Sequence, residues 1–238
     1  MGLTAEERST VALAGGKLAL VLHLPDAPGA VPCVVACHGL AASKDSDKYL
    51  LLGRELPRAG LALARFDFRG AGESTGREDE TTIATRIEDV SAVLAALSSH
   101  PRLDGRFGLL GSSLGGFVAL FVARETGAPV VTWNAPCDLS DLSERAGAPE
   151  IGGPLRAELA AGSHRRAPAG VARHLVIQGD RDEVVDPAHG LALYRAGAPP
   201  RELALIRGGD HRLTEMAHRL DAAARSRDWF LRFFARAE

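Results

Sequence analysis

From Pro32 onward, short apolar runs alternate with longer amphipathic ones. The apolar runs are CVVAC, LALARFDF, RFGLL, PVVTW, HLVIQ and ELALI, lengths that suit strands buried on both faces. Helical segments lie between them. Over 83–98, Ile83, Ile87, Val90, Leu94 and Leu97 recur at spacings of four and three, the stripe of an amphipathic helix. A second helix is predicted from Met216 to Phe234. Ahead of Pro32, STVAL and KLALVLHL flank Gly15-Gly16, which predicts an antiparallel hairpin closed by a tight turn. The alternation as a whole predicts an α/β fold, a doubly wound and mostly parallel sheet with helices on both faces. Ligands on such sheets sit at the carboxyl ends of the strands. Function is therefore to be sought just after each apolar run.

One stretch breaks this rhythm. Between PVVTW and HLVIQ lie about forty residues rich in Gly, Pro, Ala and Arg. A connection so long usually serves function or carries short helices of its own. It reads either as a small cap insertion at about 137–172 or as an ordinary crossover helix with long loops. The chain's 238 residues suit one large α/β domain or two small ones. Without a second core in the pattern, a single domain over 1–238 is the expectation.

Charge and composition exclude several partners. The net charge of −2 gives no attraction for nucleic acid or an anionic membrane, and no run approaches the ~20 apolar residues of a membrane span. The opening MGLTAEERSTVALAGG lacks a basic stretch followed by an apolar one, so no secretion signal is expected. Cys33, Cys37 and Cys137 form no metal-ligand spacing. The expected setting is a reducing cytoplasm, with no metal and no cofactor. The oligomeric state is left open, a homodimer included.

Two stretches match Gly-x-Ser-x-Gly: GESTG at 72–76 and GSSLG at 111–115. In a chain with 26 glycines a lone match is weak evidence, so the surroundings decide. A nucleophile turn needs a strand, one sharp bend and a helix that starts at once. Leu109-Leu110 ends a strand directly before Gly111, and after Ser113 comes the apolar LGGFVALFVA. Gly111 and Gly115 leave room for a strained bend, and the helix dipole favours negative charge at its head. Ser74 follows its strand by six residues and precedes the polar TGREDETT, so its match is accidental. Gly70-Ala71-Gly72 imitates a dinucleotide-binding turn, but Thr75 stands at the third glycine position and no helix opens there.

A serine hydroxyl needs a base to take its proton and a carboxylate to orient that base. Of the histidines after Ser113, His164 falls in the cap segment, His174 at the wrong end of a strand, and His189 and His218 on helices. His211 alone lies just after an apolar run, in the short loop RGGDH before the last helix. For the acid, GDRDEVVDP offers Asp180, Asp182, Glu183 and Asp186, and spacing leaves Asp180 and Asp182 in contention.

The ordered stretches His38-Gly39-Leu40, FDFRGAGES, GSSLGG, GDRDEVV and GGDH resemble the α/β-hydrolase superfamily across roughly 31–236. HGLAASKDSDKY, FDFRGAGES and TRIEDV are most similar to its small cinnamoyl- and feruloyl-esterase-like branch. The resemblance implies that the acid is Asp182, the third residue after the glycine. It also implies oxyanion donors at the backbone N–H groups of Leu40 and Leu114, with His38 holding the loop.

The implied activity is hydrolysis of a small to medium carboxylic ester through an acyl-enzyme, by Ser113, His211 and Asp182. Trp133 and Phe117, near the same rim, are candidates for an acyl pocket. The insertion is sparse in aromatic residues, a departure from the feruloyl esterases. Acyl transfer, thioester cleavage and peptide cleavage would use the same triad. A non-catalytic binding protein on the same scaffold is the alternative outside enzymes. Ser113 in place of Asp argues against dehalogenase chemistry.

Overall fold

The computed structural model describes residues 5–140, 142 and 151–235. Among the described residues, eight strands form one sheet: β1 (Ala5–Leu13), β2 (Gly16–Leu24), β3 (Val31–Cys37), β4 (Ala62–Phe66), β5 (Leu103–Ser112), β6 (Val130–Trp133), β7 (His174–Gly179) and β8 (Arg201–Ile206). The helices are α1 (Asp47–Arg58), α2 (Ile83–Leu97), α3 (Leu114–Thr126), α4 (Gly153–Ala160), α5 (Pro187–Ala196) and α6 (Met216–Phe234). Strand order is β1-β2-β4-β3-β5-β6-β7-β8. The pairs β1–β2 and β2–β4 are antiparallel and the others parallel. This is the predicted mixed sheet with its N-terminal hairpin.

Alternation along the strands sorts the core into two layers. Val35 and Cys37 of β3, Leu109 of β5 and Val176 of β7 pack with α2 and α3. Val34 and Ala36, Leu110, Val131, Trp133 and Ile177 pack on the opposite side with α1 and α6. The period of two thus feeds helices on both faces. The α2 helix begins on a capping box, in which Thr82 and Thr85 bond reciprocally. The α3 helix ends at Gly127, whose φ of 67° needs the left-handed region.

Winding reverses at β3, because β4 lies on one side of it and β5 on the other. The loops after β3 and β5 therefore diverge over a crevice, the usual ligand site of such sheets. Among the described residues of the insertion, α4 forms a helix and Asp138 bridges to Arg166. Of the proposed cap, residues 141 and 143–150 lie outside the described residues. Among the described residues, no helix is long and apolar enough to cross a membrane.

Candidate active site

Ser113 stands between β5 and α3 at φ 55° and ψ −129°. For a residue with a Cβ that conformation costs on the order of 1–3 kcal/mol. The turn is held by the Ser113 amide donating to the Trp133 carbonyl at 2.9 Å. A Cβ at Gly111 would collide with the Gly115 carbonyl, and one at Gly115 with the Cys37 carbonyl. Both positions need glycine because backbone packs directly on backbone there. The result presents the Ser113 hydroxyl to a cavity of about 580 Å³ at the strand ends.

His211, in the loop between β8 and α6, lines the same cavity. Its Nδ1 lies 2.9 Å from each carboxylate oxygen of Asp182. Asp182 is itself buried and accepts the amides of Val184 at 2.9 Å and Val185 at 2.7 Å on Oδ1. Gln178 Nε2 lies 3.3 Å from its Oδ2. The other carboxylates of that turn are occupied elsewhere. Asp180 accepts the Gly208 amide at 2.6 Å, Glu183 the His211 amide at 3.2 Å, and Asp186 caps α5 through Ala188 at 2.8 Å. Of the two acids that spacing left equal, Asp182 contacts the His211 imidazole and Asp180 bonds the Gly208 amide.

Leu40 and Leu114 also line the cavity. The Leu114 amide is the first of α3, where a helix supplies no acceptor of its own. Among the described residues, neither the Leu40 nor the Leu114 amide has a protein acceptor. Gly39 lies against Ser113 and also lines the cavity. His38 is fully buried. Its Nε2 accepts the Phe68 amide at 3.0 Å and its Nδ1 donates to the Gly39 carbonyl at 2.8 Å. Burial pushes its pKa down to about 4, so the ring is a neutral strut beneath the loop.

The FDFRGAGES loop braces that strut from below. Asp67 accepts the Lys44 amide at 2.7 Å, Lys44 Nζ at 2.9 Å and the Glu73 amide at 3.0 Å. Ser74, the second Gly-x-Ser-x-Gly serine, donates to the Asp67 carbonyl at 2.6 Å and accepts the Ala19 amide at 2.9 Å. It ties a loop to β2 and does not line the cavity beside Ser113.

Two expectations need correction. Phe117 and Trp133 are fully buried and do not line the cavity. Phe117 sits edge-on to Phe121 with ring centroids 5.4 Å apart, in the layer beneath α3. Trp133 projects toward α6, where its Nε1 donates to Ser226 Oγ at 3.0 Å. The cavity's apolar wall is instead supplied by Leu139 and Leu142 of the insertion and by Val184 and Val185.

Other residues entered no sequence argument. Asn134, at φ 51°, donates to the carbonyls of Asp210 and His211 at 3.0 and 2.9 Å and accepts the Gly179 amide at 2.7 Å. It welds the loop bearing His211 to the one bearing Asp182. Its place directly after an apolar run was the available signal. Lys48 also lines the cavity, and its Nζ donates to Ser112 Oγ at 2.8 Å. Among the described residues, no group of three or more His, Cys, Asp or Glu side chains could hold a metal ion.

Residues 29–134 match the model of the serine aminopeptidase S33 family. The human palmitoyl-protein thioesterase ABHD10 is 30% identical over 110 residues, 43% of this chain and 34% of that protein. The chain spans about a third of the length of the curated relatives it first matches. Est1E of Butyrivibrio proteoclasticus, solved with ferulic acid bound, superposes with TM-score 0.80 at 16% identity, covering 94% of this chain and 98% of that one. XC6422 of Xanthomonas campestris, described as a serine hydrolase without lid, superposes with TM-score 0.73 at 21% identity, covering 100% and 99%.

Proposed function

We propose that this chain, whose fold superposes on α/β hydrolases, is a serine hydrolase that cleaves a small to medium carboxylic ester. One observation carries the reading: Ser113, held at positive φ at the head of a helix, shares a cavity with an imidazole that a buried carboxylate grips.

Asp182 keeps the proton of His211 on Nδ1, which leaves Nε2 as the acceptor for the Ser113 proton. Ser113 Oγ then attacks the ester carbonyl carbon. The tetrahedral oxyanion takes hydrogen bonds from the Leu40 and Leu114 amides, each lowering the barrier by roughly 3 kcal/mol. The alcohol leaves with the proton held by His211, and Ser113 carries the acyl group. Water, deprotonated by His211, attacks that acyl-enzyme, and the carboxylic acid departs as Ser113 recovers its proton. The alternatives of acyl transfer, thioester and amide cleavage share every step up to the choice of leaving group or acceptor. The ABHD10 likeness supports a thioester and the S33 likeness an amide. The wider coverage of Est1E supports an ester acid as the bound product.

The test is the Ser113→Ala variant assayed with p-nitrophenyl butyrate and with a fluorophosphonate probe. Both turnover and labelling are expected to vanish while the thermal midpoint stays near wild type. Turnover that survives the substitution refutes the assignment.

A further inference from the structure

The cavity beside Ser113 is chemically lopsided. On the side of the sheet covered by α3 and α4 its wall is Leu139 and Leu142, which pack with that core layer. On the side covered by α1 and α6 the wall carries Lys48, Arg212 and Arg219. Ester hydrolysis by itself needs no cations there.

The carboxylates that share this wall are already engaged. Asp47 pairs with Arg219 at 3.0 Å, and Asp45 is held by Lys44 and Arg65, neither of which lines the cavity. Glu183 accepts the His211 amide. Lys48 and Arg212 remain without a carboxylate partner among the described residues. Lys48 spends one of its three donors on Ser112 Oγ, one residue before the nucleophile. Arg219 keeps a buried Nε with no acceptor among the described residues. Burial and the neighbouring Arg212 and Arg219 draw the Lys48 pKa down to about 8, against the pull of Asp210 and Asp182. At neutral pH the ammonium is therefore charged and crowded by like charge, a state that an anion relieves.

We propose that Lys48 and Arg212 form a carboxylate subsite, so that the preferred substrate is an ester bearing a second, free carboxylate. The proposal rests on the reading of Ser113 as nucleophile and adds the substrate class to it. A single negative charge suits the site better than a phosphate dianion, because Glu183 and Asp47 line the same cavity. Arg212 contributes a planar fork that fits a carboxylate, and Lys48 a point charge on its other oxygen. The apolar wall would take the uncharged portion of the ester.

The test compares matched substrates. The 4-nitrophenyl half-esters of succinic, glutaric and adipic acid are assayed against the same compounds with the free acid capped as a methyl ester. At least one free acid is expected to exceed its capped partner by roughly ten-fold in kcat/KM, carried mainly in KM, as suits one hydrogen-bonded charge. Lys48→Met and Arg212→Met should each shrink that ratio, and the double variant should bring it to about one. No preference in the wild type, or a preference that survives the double variant, overturns the proposal. Binding separates this failure from failure of the hydrolase reading. The half-4-nitroanilide of glutaric acid and its methyl ester are titrated into Ser113→Ala protein by calorimetry. Tighter binding of the free acid, lost on adding the Lys48→Met and Arg212→Met changes, supports the subsite even where no ester is turned over at all. Equal binding overturns it even if Ser113 is the nucleophile.

Discussion

Replacing Asp182 by asparagine changes one atom in a way the surrounding hydrogen bonds dictate. The Oδ1 position receives the amides of Val184 and Val185, so it must stay an oxygen. The new NH2 group is therefore forced into the Oδ2 position, 2.9 Å from His211 Nδ1 and 3.3 Å from the Gln178 amide nitrogen. There it donates to Nδ1 where the carboxylate accepted from it. The imidazole proton moves to Nε2, and the atom meant to receive the Ser113 proton is blocked. A wrong tautomer in such a triad costs about ten-thousand-fold in kcat, about 5.5 kcal/mol of barrier.

The assay is steady-state hydrolysis of p-nitrophenyl butyrate by purified Asp182→Asn, with Asp180→Asn as the control. Asp180 is exposed and bonds the Gly208 amide, far in role though close in sequence. Its variant should stay within about three-fold of wild type, the range of an exposed hydrogen bond. For Asp182→Asn, kcat should collapse with KM little altered, because ground-state binding does not use the carboxylate. Retention of a tenth or more of wild-type kcat would refute the tautomer argument. So would an equal loss in the Asp180→Asn control.

Trp133→Phe should lower stability by about 1–3 kcal/mol, through lost packing and the lost hydrogen bond to Ser226 Oγ, which keeps its own bond to the Ala222 carbonyl. The preference among acyl chain lengths should not move; guanidinium unfolding and a chain-length series read the two effects, and an altered preference would restore Trp133 to the acyl pocket. Acid should also destabilise the fold. Burial lowers the pKa of His23 and His38 to about 4 and of His174 to about 3, so the unfolded chain binds protons below 6.5 that the folded chain refuses. Stability present above pH 6.5 is then lost toward pH 4, by on the order of 3 kcal/mol per histidine; guanidinium midpoints equal at pH 7 and pH 4.5 would contradict this.

Much of this arrangement could be read before any coordinates. The placement of Ser113 and His211 at strand ends was legible because each lies at or within a few residues of the end of a strand-length apolar run. The α2 helix is predicted at 83–98 and found at Ile83–Leu97, since its stripe and cap are local signals. The first strand runs from Ala5, four residues earlier than STVAL suggests. Its polar start pairs with β2 at an exposed edge, where burial leaves no pattern to read. Phe117 and Trp133 misled because nearness to the rim says nothing of side-chain direction. In β6, Thr132 faces one layer while Val131 and Trp133 face the other, and the partner of Trp133 is distant in the chain. The partners of Asn134, though not its place at a strand end, and the role of Lys48 were invisible for a related reason. Each acts through groups that only the folded sheet brings near.

Whether Ser113 takes up an acyl group with help from His211 is answered most directly by acid-quenching a reaction with p-nitrophenyl butyrate and mapping the adduct by peptide mass spectrometry. A butyryl group on the peptide containing Ser113, absent from the His211→Ala protein treated identically, is the expected result. Turnover with the acyl group found on another residue, or undiminished acylation without His211, would contradict it.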